Sequence, residues 1–138
     1  MTKPIRKPRL TKEEIGWIAG FFQGEGSVRI ENFRGHYHGH ICVSQDEIEP
    51  LEYLQKHFGG SIHRLGAKEA LRDNSQWKLH GLHALSFLRL VNPLIKSPTK
   101  VEEIKVFTTF MVTENEKLKE RLVLWWKNRI RLRKEKGR

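Results

Sequence analysis

Along the first third of the chain the spacing of apolar residues changes character. In IGWIAGFFQG, residues 15–24, Ile15, Trp17, Ile18, Phe21 and Phe22 fall at helical spacing and are expected to enter a core. The preceding TKEE at 11–14 forms a capping box: Thr11 can accept from the Glu14 amide while the Glu14 side chain reaches back. A helix is therefore predicted from about residue 11 to Gly24, where GEG stops it. From Ser27 to Gln45 the period becomes two. Val28, Ile30 and Asn32 fall on one side, and Arg29, Glu31 and Phe33 on the other. After a turn near Gly35, Ile41 and Val43 point inward while His36, His38, His40 and Cys42 share the opposite side, which predicts a hairpin.

DEIEPLEYLQKHFGG returns to helical spacing, through Ile48, Leu51, Tyr53 or Leu54, and Phe58, with glycines to end it. SIHRL and SQWKLH then alternate as a second strand pair with Ile62, Trp77 and Leu79 inward, joined by a polar loop at 66–75. LHALSFLRLV is a short apolar helix, Ser97 with Pro98 makes a good N-cap and first-turn pair, and two further helices follow, the last ending in a basic run. The order is helix, two strands, helix, two strands, helices. That is an α+β layer with a mostly antiparallel sheet, helices on one face and the other face open.

At 138 residues the chain amounts to one domain. One cysteine, Cys42, excludes an intramolecular disulfide framework, and no apolar run approaches the ~20 residues of a membrane span; an intracellular protein with no membrane partner is expected. The net charge of +10 is localised. Residues 1–10 carry four basic and no acidic residues, residues 127–138 carry seven basic and one acidic, and residues 11–126 carry 15 of each sign. A balanced domain at 11–126 between a basic arm and a basic helix end or tail points to a polyanion, with nucleic acid the leading candidate over mere solubilisation.

The open face adds chemistry to that charge. Arg29, Glu31, Phe33, His36, His38, His40 and Cys42 on the first hairpin, and His63, Gln76, Lys78 and His80 on the second, mix donors, acceptors and flat rings. Those groups can read base edges in a major groove, whereas a plain solvated sheet favours threonine, lysine and glutamate. Arg34 at the turn and Arg64 on the second hairpin join this DNA-binding set. A zinc reading of HYHGHIC is weaker, because same-face residues on one flat strand diverge and no CxxC or HxxxH clamp accompanies them.

Gly16, Gly20 and Gly24 recur every four residues and form a stripe along the first helix, flanked by Ala19 and Gln23. Each interior glycine costs the helix about 1 kcal/mol relative to alanine, so a purpose other than helix stability is implied. A stripe without side chains admits a second helix backbone at close range, as small-xxx-small patterns do. With one copy of the motif, that helix is expected from a second subunit in a twofold homodimer, with Gly16, Ala19, Gly20 and Gln23 at the interface. The symmetry would bring two copies of Glu25 together, and divalent metal answers their repulsion: Mg²⁺ or Mn²⁺, held by carboxylates, carbonyls and phosphates.

WIAGFFQGEGSV at 17–28 resembles the motif that names the LAGLIDADG homing endonucleases, and the element order over residues 11 to about 114 is similar to that family's αββαββα domain. A single motif resembles the homodimeric branch. The resemblance implies a sheet that forms a saddle over double-stranded DNA, and metal-dependent hydrolysis of both strands at a long pseudo-palindromic site. It implies Glu25 as metal ligand and catalytic residue, the Gly24 carbonyl as a second ligand, and Gln45 as the polar residue orienting water. Gln23 replaces the motif's first acidic residue. The family's lysine falls near NPLIKSPTK, where Lys96 and Lys100 are both candidates.

The rival function on the same scaffold is a non-cleaving binder, either a splicing maturase with intron RNA as partner or a DNA-binding regulator. A basic RNA-binding protein of ribosomes would account for the charged ends but not for the glycine stripe.

Overall fold

A computed structural model describes residues 9–65 and 74–136. The elements are α1 (Lys12–Glu25), β1 (Gly26–Phe33), β2 (His36–Gln45), α2 (Glu49–Phe58), β3 (Ser61–Leu65), β4 (Asn74–His80), α3 (Gly81–Val91), a 3-10 turn (Asn92–Leu94), α4 (Pro98–Val112) and α5 (Glu116–Lys136). The fold is α+β with a four-stranded antiparallel sheet, as expected. Most of the basic arm, most of the polar loop and the last two residues lie outside the described residues.

The capping box forms as predicted. Glu14 N donates to Thr11 Oγ1 at 3.1 Å and Thr11 N to Glu14 Oε1 at 3.0 Å. The other carboxylate oxygen accepts from the Tyr53 hydroxyl at 2.9 Å, joining α1 to α2. The Thr11 amide first, and then the Tyr53 hydroxyl, hold the Glu14 carboxyl below its ordinary pKa. At its other end α1 passes into β1 without a loop. A Cβ on Gly26 would lie 2.3 Å from the Phe22 ring and 2.7 Å from the Phe22 carbonyl oxygen, so only glycine fits this junction.

Rotation of α1 decides which of its apolar residues are core. Ile18, Ala19 and Phe22 are buried, whereas Trp17 is 47% exposed. The expectation that Trp17 lies in the core is thus corrected: its ring stacks on Phe21 at 5.0 Å and meets Tyr53 edge-on at 5.4 Å, at the rim between α1 and α2.

The first hairpin turns through Arg34 and Gly35, both at positive φ (53° and 84°), the two-residue geometry that matches strand twist. Asn32 keeps the register of Val28 and Ile30 but is exposed, and its Oδ1 accepts from Gly35 N at 3.0 Å to brace the turn. The sheet order is β1-β2-β4-β3, so the two hairpins meet through β2 and β4. Val28, Ile30, Ile41, Val43, Trp77 and Leu79 are buried on the helix side. They pack with Ala84, Phe87, Leu88 and Val91 of α3, Ile104 and Phe107 of α4, and Trp126 of α5. Each large apolar side chain so buried contributes roughly 1.5–3 kcal/mol. The Trp77 indole donates to the Gly59 carbonyl at 2.8 Å, which satisfies its polar atom within the core.

The basic end of the chain is partly engaged by its own fold. Arg129 pairs with Glu102 at 3.3 Å and Glu103 at 3.5 Å, fastening α5 to α4, and the Lys127 ammonium lies 5.5 Å over the Tyr37 ring. Among the described residues no helix is long and apolar enough to cross a membrane.

Candidate functional site

The strand register assembles the helix-free side of the sheet row by row. Arg29, His40 and His80 form one row; Ser27, Cys42, Lys78 and Ser61 form the next; Ser44, Gln76 and His63 form a third. Glu31 with His38 and Phe33 with His36 extend the first hairpin beyond the others. Arg29, Glu31, Phe33, His36, His38, His63 and His80 are exposed, and Gln76 and Lys78 half-exposed. The Arg34 guanidinium lies 5.2 Å over the Phe33 ring at the hairpin tip.

Two members of the expected DNA-binding set are corrected. His40 and Cys42 are 6% and 5% exposed, because on the central strand β2 their cross-strand neighbours close over them: Arg29 and His80 over His40, Ser27 and Lys78 over Cys42. Arg64 is corrected as to side. It pairs with buried Ser75 and so follows the helix-side alternation, exposed at the edge strand rather than on the helix-free side.

Burial dominates the chemistry of His40. Its Nε2 lies 3.2 Å from Glu31 Oε1 without hydrogen-bond geometry, and its ring is 5.2 Å from that of His80. Desolvation pushes its pKa down to about 4 against the opposing pull of Glu31, so the imidazole is neutral at physiological pH. His80 is lowered in the same way, by desolvation first and then by the Lys78 ammonium.

A second group of candidates gathers where α1 gives way to β1. Glu25 is the last residue of α1 and, like Gly24, is exposed. Lys100 reaches this junction from the first turn of α4: its Nζ donates to the Gly26 carbonyl at 2.5 Å and lies 5.6 Å over the Phe22 ring. Lys96 is exposed, and its backbone amide donates to Gln23 Oε1 at 2.5 Å, with the Ser97 amide donating to the same oxygen at 2.9 Å. Gln45 ends β2 two residues beyond Val43, the partner of Gly26, and is therefore at the same end of the sheet as Glu25.

The glycine stripe is open. A Cβ added at Gly16, Gly20 or Gly24 would meet nothing within 4 Å. The two flanking residues expected beside them are corrected: Ala19 is buried in the core, and the Gln23 side chain turns to Lys96 and Ser97 of its own chain. That use of Gln23 was not foreseen. The signal for it was the Ser97-Pro98 helix start, whose preceding amides need an acceptor.

Among the described residues no group of three or more His, Cys, Asp or Glu is arranged to hold a metal ion. The donors at the α1–β1 junction are nevertheless of the right kind. Glu25 is exposed, Gly24 has no side chain to screen its backbone, and the C-terminal end of a helix presents carbonyl oxygens and partial negative charge. Hard oxygen donors of this type suit a divalent cation such as Mg²⁺.

No family model and no curated protein sequence matches the chain. Solved structures do. The homing endonuclease I-CvuI in complex with the I-CreI target, with Mg present and the DNA not cleaved, matches at 16% identity and a TM-score of 0.62, over 81% of this chain and 74% of that one. The archaeal intron-encoded homing endonuclease I-Vdi141I complexed with DNA matches at 19% identity and a TM-score of 0.55, over 72% and 67% of the two chains. The LAGLIDADG meganuclease I-AabMI bound to uncleaved DNA matches at 19% identity and a TM-score of 0.58, over 70% of this chain and 35% of that one. The chain has the fold of the LAGLIDADG homing endonucleases.

Proposed function

We propose that this protein is a site-specific DNA endonuclease that acts as a homodimer and makes a double-strand break by divalent-metal-dependent phosphodiester hydrolysis. The observation that carries this reading is the arrival of Lys100, from the first turn of α4, at the Gly26 carbonyl, the residue directly after Glu25 at the end of α1. A protein that only binds nucleic acid has no evident use for a carboxylate and an ammonium gathered at that junction. The neighbours in complex with DNA, and those handled with Mg or Ca, favour the same reading.

In this mechanism the sheet side grips duplex DNA through Arg29, Glu31, Phe33, Arg34, His36, His38, His63, Gln76, Lys78 and His80. The open seam of Gly16, Gly20 and Gly24 receives the same seam of a second copy, and the exposed Trp17 at the rim of α1 adds apolar area beside it. Glu25 of each subunit and the Gly24 carbonyl would hold Mg²⁺ or Mn²⁺. Bound there, the metal would supply charge neutralisation and an activated water. Gln45 would act beside it as a polar group able to hydrogen-bond water. Lys100, rather than Lys96, presents an ammonium to the phosphate and stabilises the negative charge that develops as the bond breaks.

Incubation of the protein with a DNA library in the presence of Mg²⁺, followed by sequencing of the ends, tests the proposal. Recurrent paired breaks at one long site are expected. Tight binding without cleavage by the wild type would move the protein to the non-cleaving class, and preference for structured intron RNA would identify a maturase.

A further inference from the structure

We propose that Gln23 is a positioning residue that holds Lys100 in place at the end of α1. The contacts close a circuit. Gln23 Oε1 accepts from Lys96 N and Ser97 N at 2.5 and 2.9 Å. Ser97 Oγ, the N-cap of α4, accepts from Lys100 N at 3.3 Å, and Lys100 Nζ returns to the Gly26 carbonyl. The circuit leaves α1 at residue 23 and rejoins the chain at residue 26, so it brackets Gly24 and Glu25.

The first-turn amides of a helix have no partner within it, and their orientation is set by whatever accepts from them and from the residues just before. Pro98, in the first turn of α4, has no N–H to offer, so anchoring falls to the amides on either side of it. One side-chain oxygen on α1 takes both preceding amides, which fixes the direction in which α4 starts and hence the base of the Lys100 side chain. A lysine stem has four rotatable bonds, and an anchored base is what lets so flexible a chain hold one position.

The position requires an acceptor, and charge is secondary. Glutamine and glutamate both present a side-chain oxygen at the same reach, able to accept from the Lys96 and Ser97 amides. Glutamate should therefore substitute for Gln23, and leucine, of similar size but without an oxygen, should not.

The part Lys100 plays in hydrolysis rests on the function proposed above, whereas its placement by Gln23 does not, and the experiment separates the two. Competitive acylation of lysines in the intact protein, read by mass spectrometry, reports the accessibility of Lys100 relative to Lys105. Gln23→Leu should raise the relative rate at Lys100 by about two- to tenfold, the range expected for loss of one hydrogen-bonded anchor, and Gln23→Glu should leave it as in the wild type. Ser97→Ala breaks the circuit at its other link and should act in the same direction, which preserves the test if Gln23→Leu does not fold. Unchanged Lys100 reactivity in folded Gln23→Leu, or in Ser97→Ala if the leucine variant is unfolded, would overturn the proposal. Where cleavage is measurable, Gln23→Leu should lower kcat with little change in KM and Gln23→Glu should restore it. If no form cuts DNA, the acylation pattern still decides the positioning role while the nuclease reading falls.

Discussion

The glycine side of α1 and the helix-free side of the sheet both face away from the core, yet only the first is bare along its length. Methyl groups added at Gly16, Gly20 and Gly24 would meet nothing, while the centre of the sheet face is closed over His40 and Cys42. The difference lies in how each element makes a surface. An isolated helix face depends only on the side chains of that helix, so three glycines in register leave backbone in the open. A sheet face is shared, and a residue on a central strand has neighbours about 5 Å away on both sides. Long side chains such as Arg29 and Lys78 on β1 and β4 therefore shield whatever β2 presents between them.

Changes at each surface should break or sharpen this contrast. The largest effect is expected from Gly20→Leu. In a twofold seam the overfilling occurs twice, at ~1–3 kcal/mol each, so the dimer should dissociate at least about thirtyfold more readily while each chain keeps its fold. Sedimentation over a dilution series, with a thermal melt of the same sample, measures both; a dimer of wild-type affinity would show that the stripe is not the interface.

Next is Glu25→Gln, at the end of the bare side, which should slow cleavage by about 10²–10³-fold and leave DNA affinity nearly unchanged. Single-turnover kinetics beside a binding titration separates these, and undiminished cleavage would remove Glu25 from the reaction.

The closed centre of the sheet has its own signature in pH. Because the folded pKa of His40 is about 4, below its ordinary 6.5, the unfolded chain takes up a proton at this residue before the folded one does. Its contribution to stability is full above about pH 6.5, declines as the pH falls toward 4, and changes no further below that; the loss is at most about 3 kcal/mol. Denaturant titrations at pH 7 and pH 4.5 should show a smaller drop for His40→Gln than for the wild type. An equal drop would place the acid sensitivity elsewhere.

The smallest effect is expected from Gly16→Ala. Its methyl meets nothing within the chain, so helix propensity alone should stabilise the monomer by about 0.5–1 kcal/mol, even as the seam becomes less bare. A destabilised monomer would mean that this side of α1 is already covered.

The parts of the molecule that could be read from the chain are those in which neighbouring residues specify one another. Thr11 with Glu14 announced the start of α1, the alternation through Val28 and Ile30 and the glycine at 35 announced the first hairpin, and Ser97 with Pro98 announced α4. The parts misread turn on contacts between distant segments. Trp17 is apolar and helical yet exposed, because the rotation of α1 was decided by what α3 and the sheet accept. Gln23 looked like an outward neighbour of the glycines until the segment at 96–97 offered it two amides. Lys96 and Lys100 were equivalent candidates in sequence, and the approach of α4 to α1 carries the Lys100 ammonium to the Gly26 carbonyl while Lys96 stays exposed.

By itself the sequence determined the elements, the antiparallel α+β class, the glycine stripe and the placement of Glu25 where helix becomes strand, because periodicity, caps and turns act within a few residues. The tertiary structure alone decided that β2 and β4 join the two hairpins, that His40 and Cys42 are covered, and that the Lys100 ammonium arrives at the Gly26 carbonyl. Such outcomes depend on which faces pack together, and packing is a property of the assembled chain that no local pattern encodes.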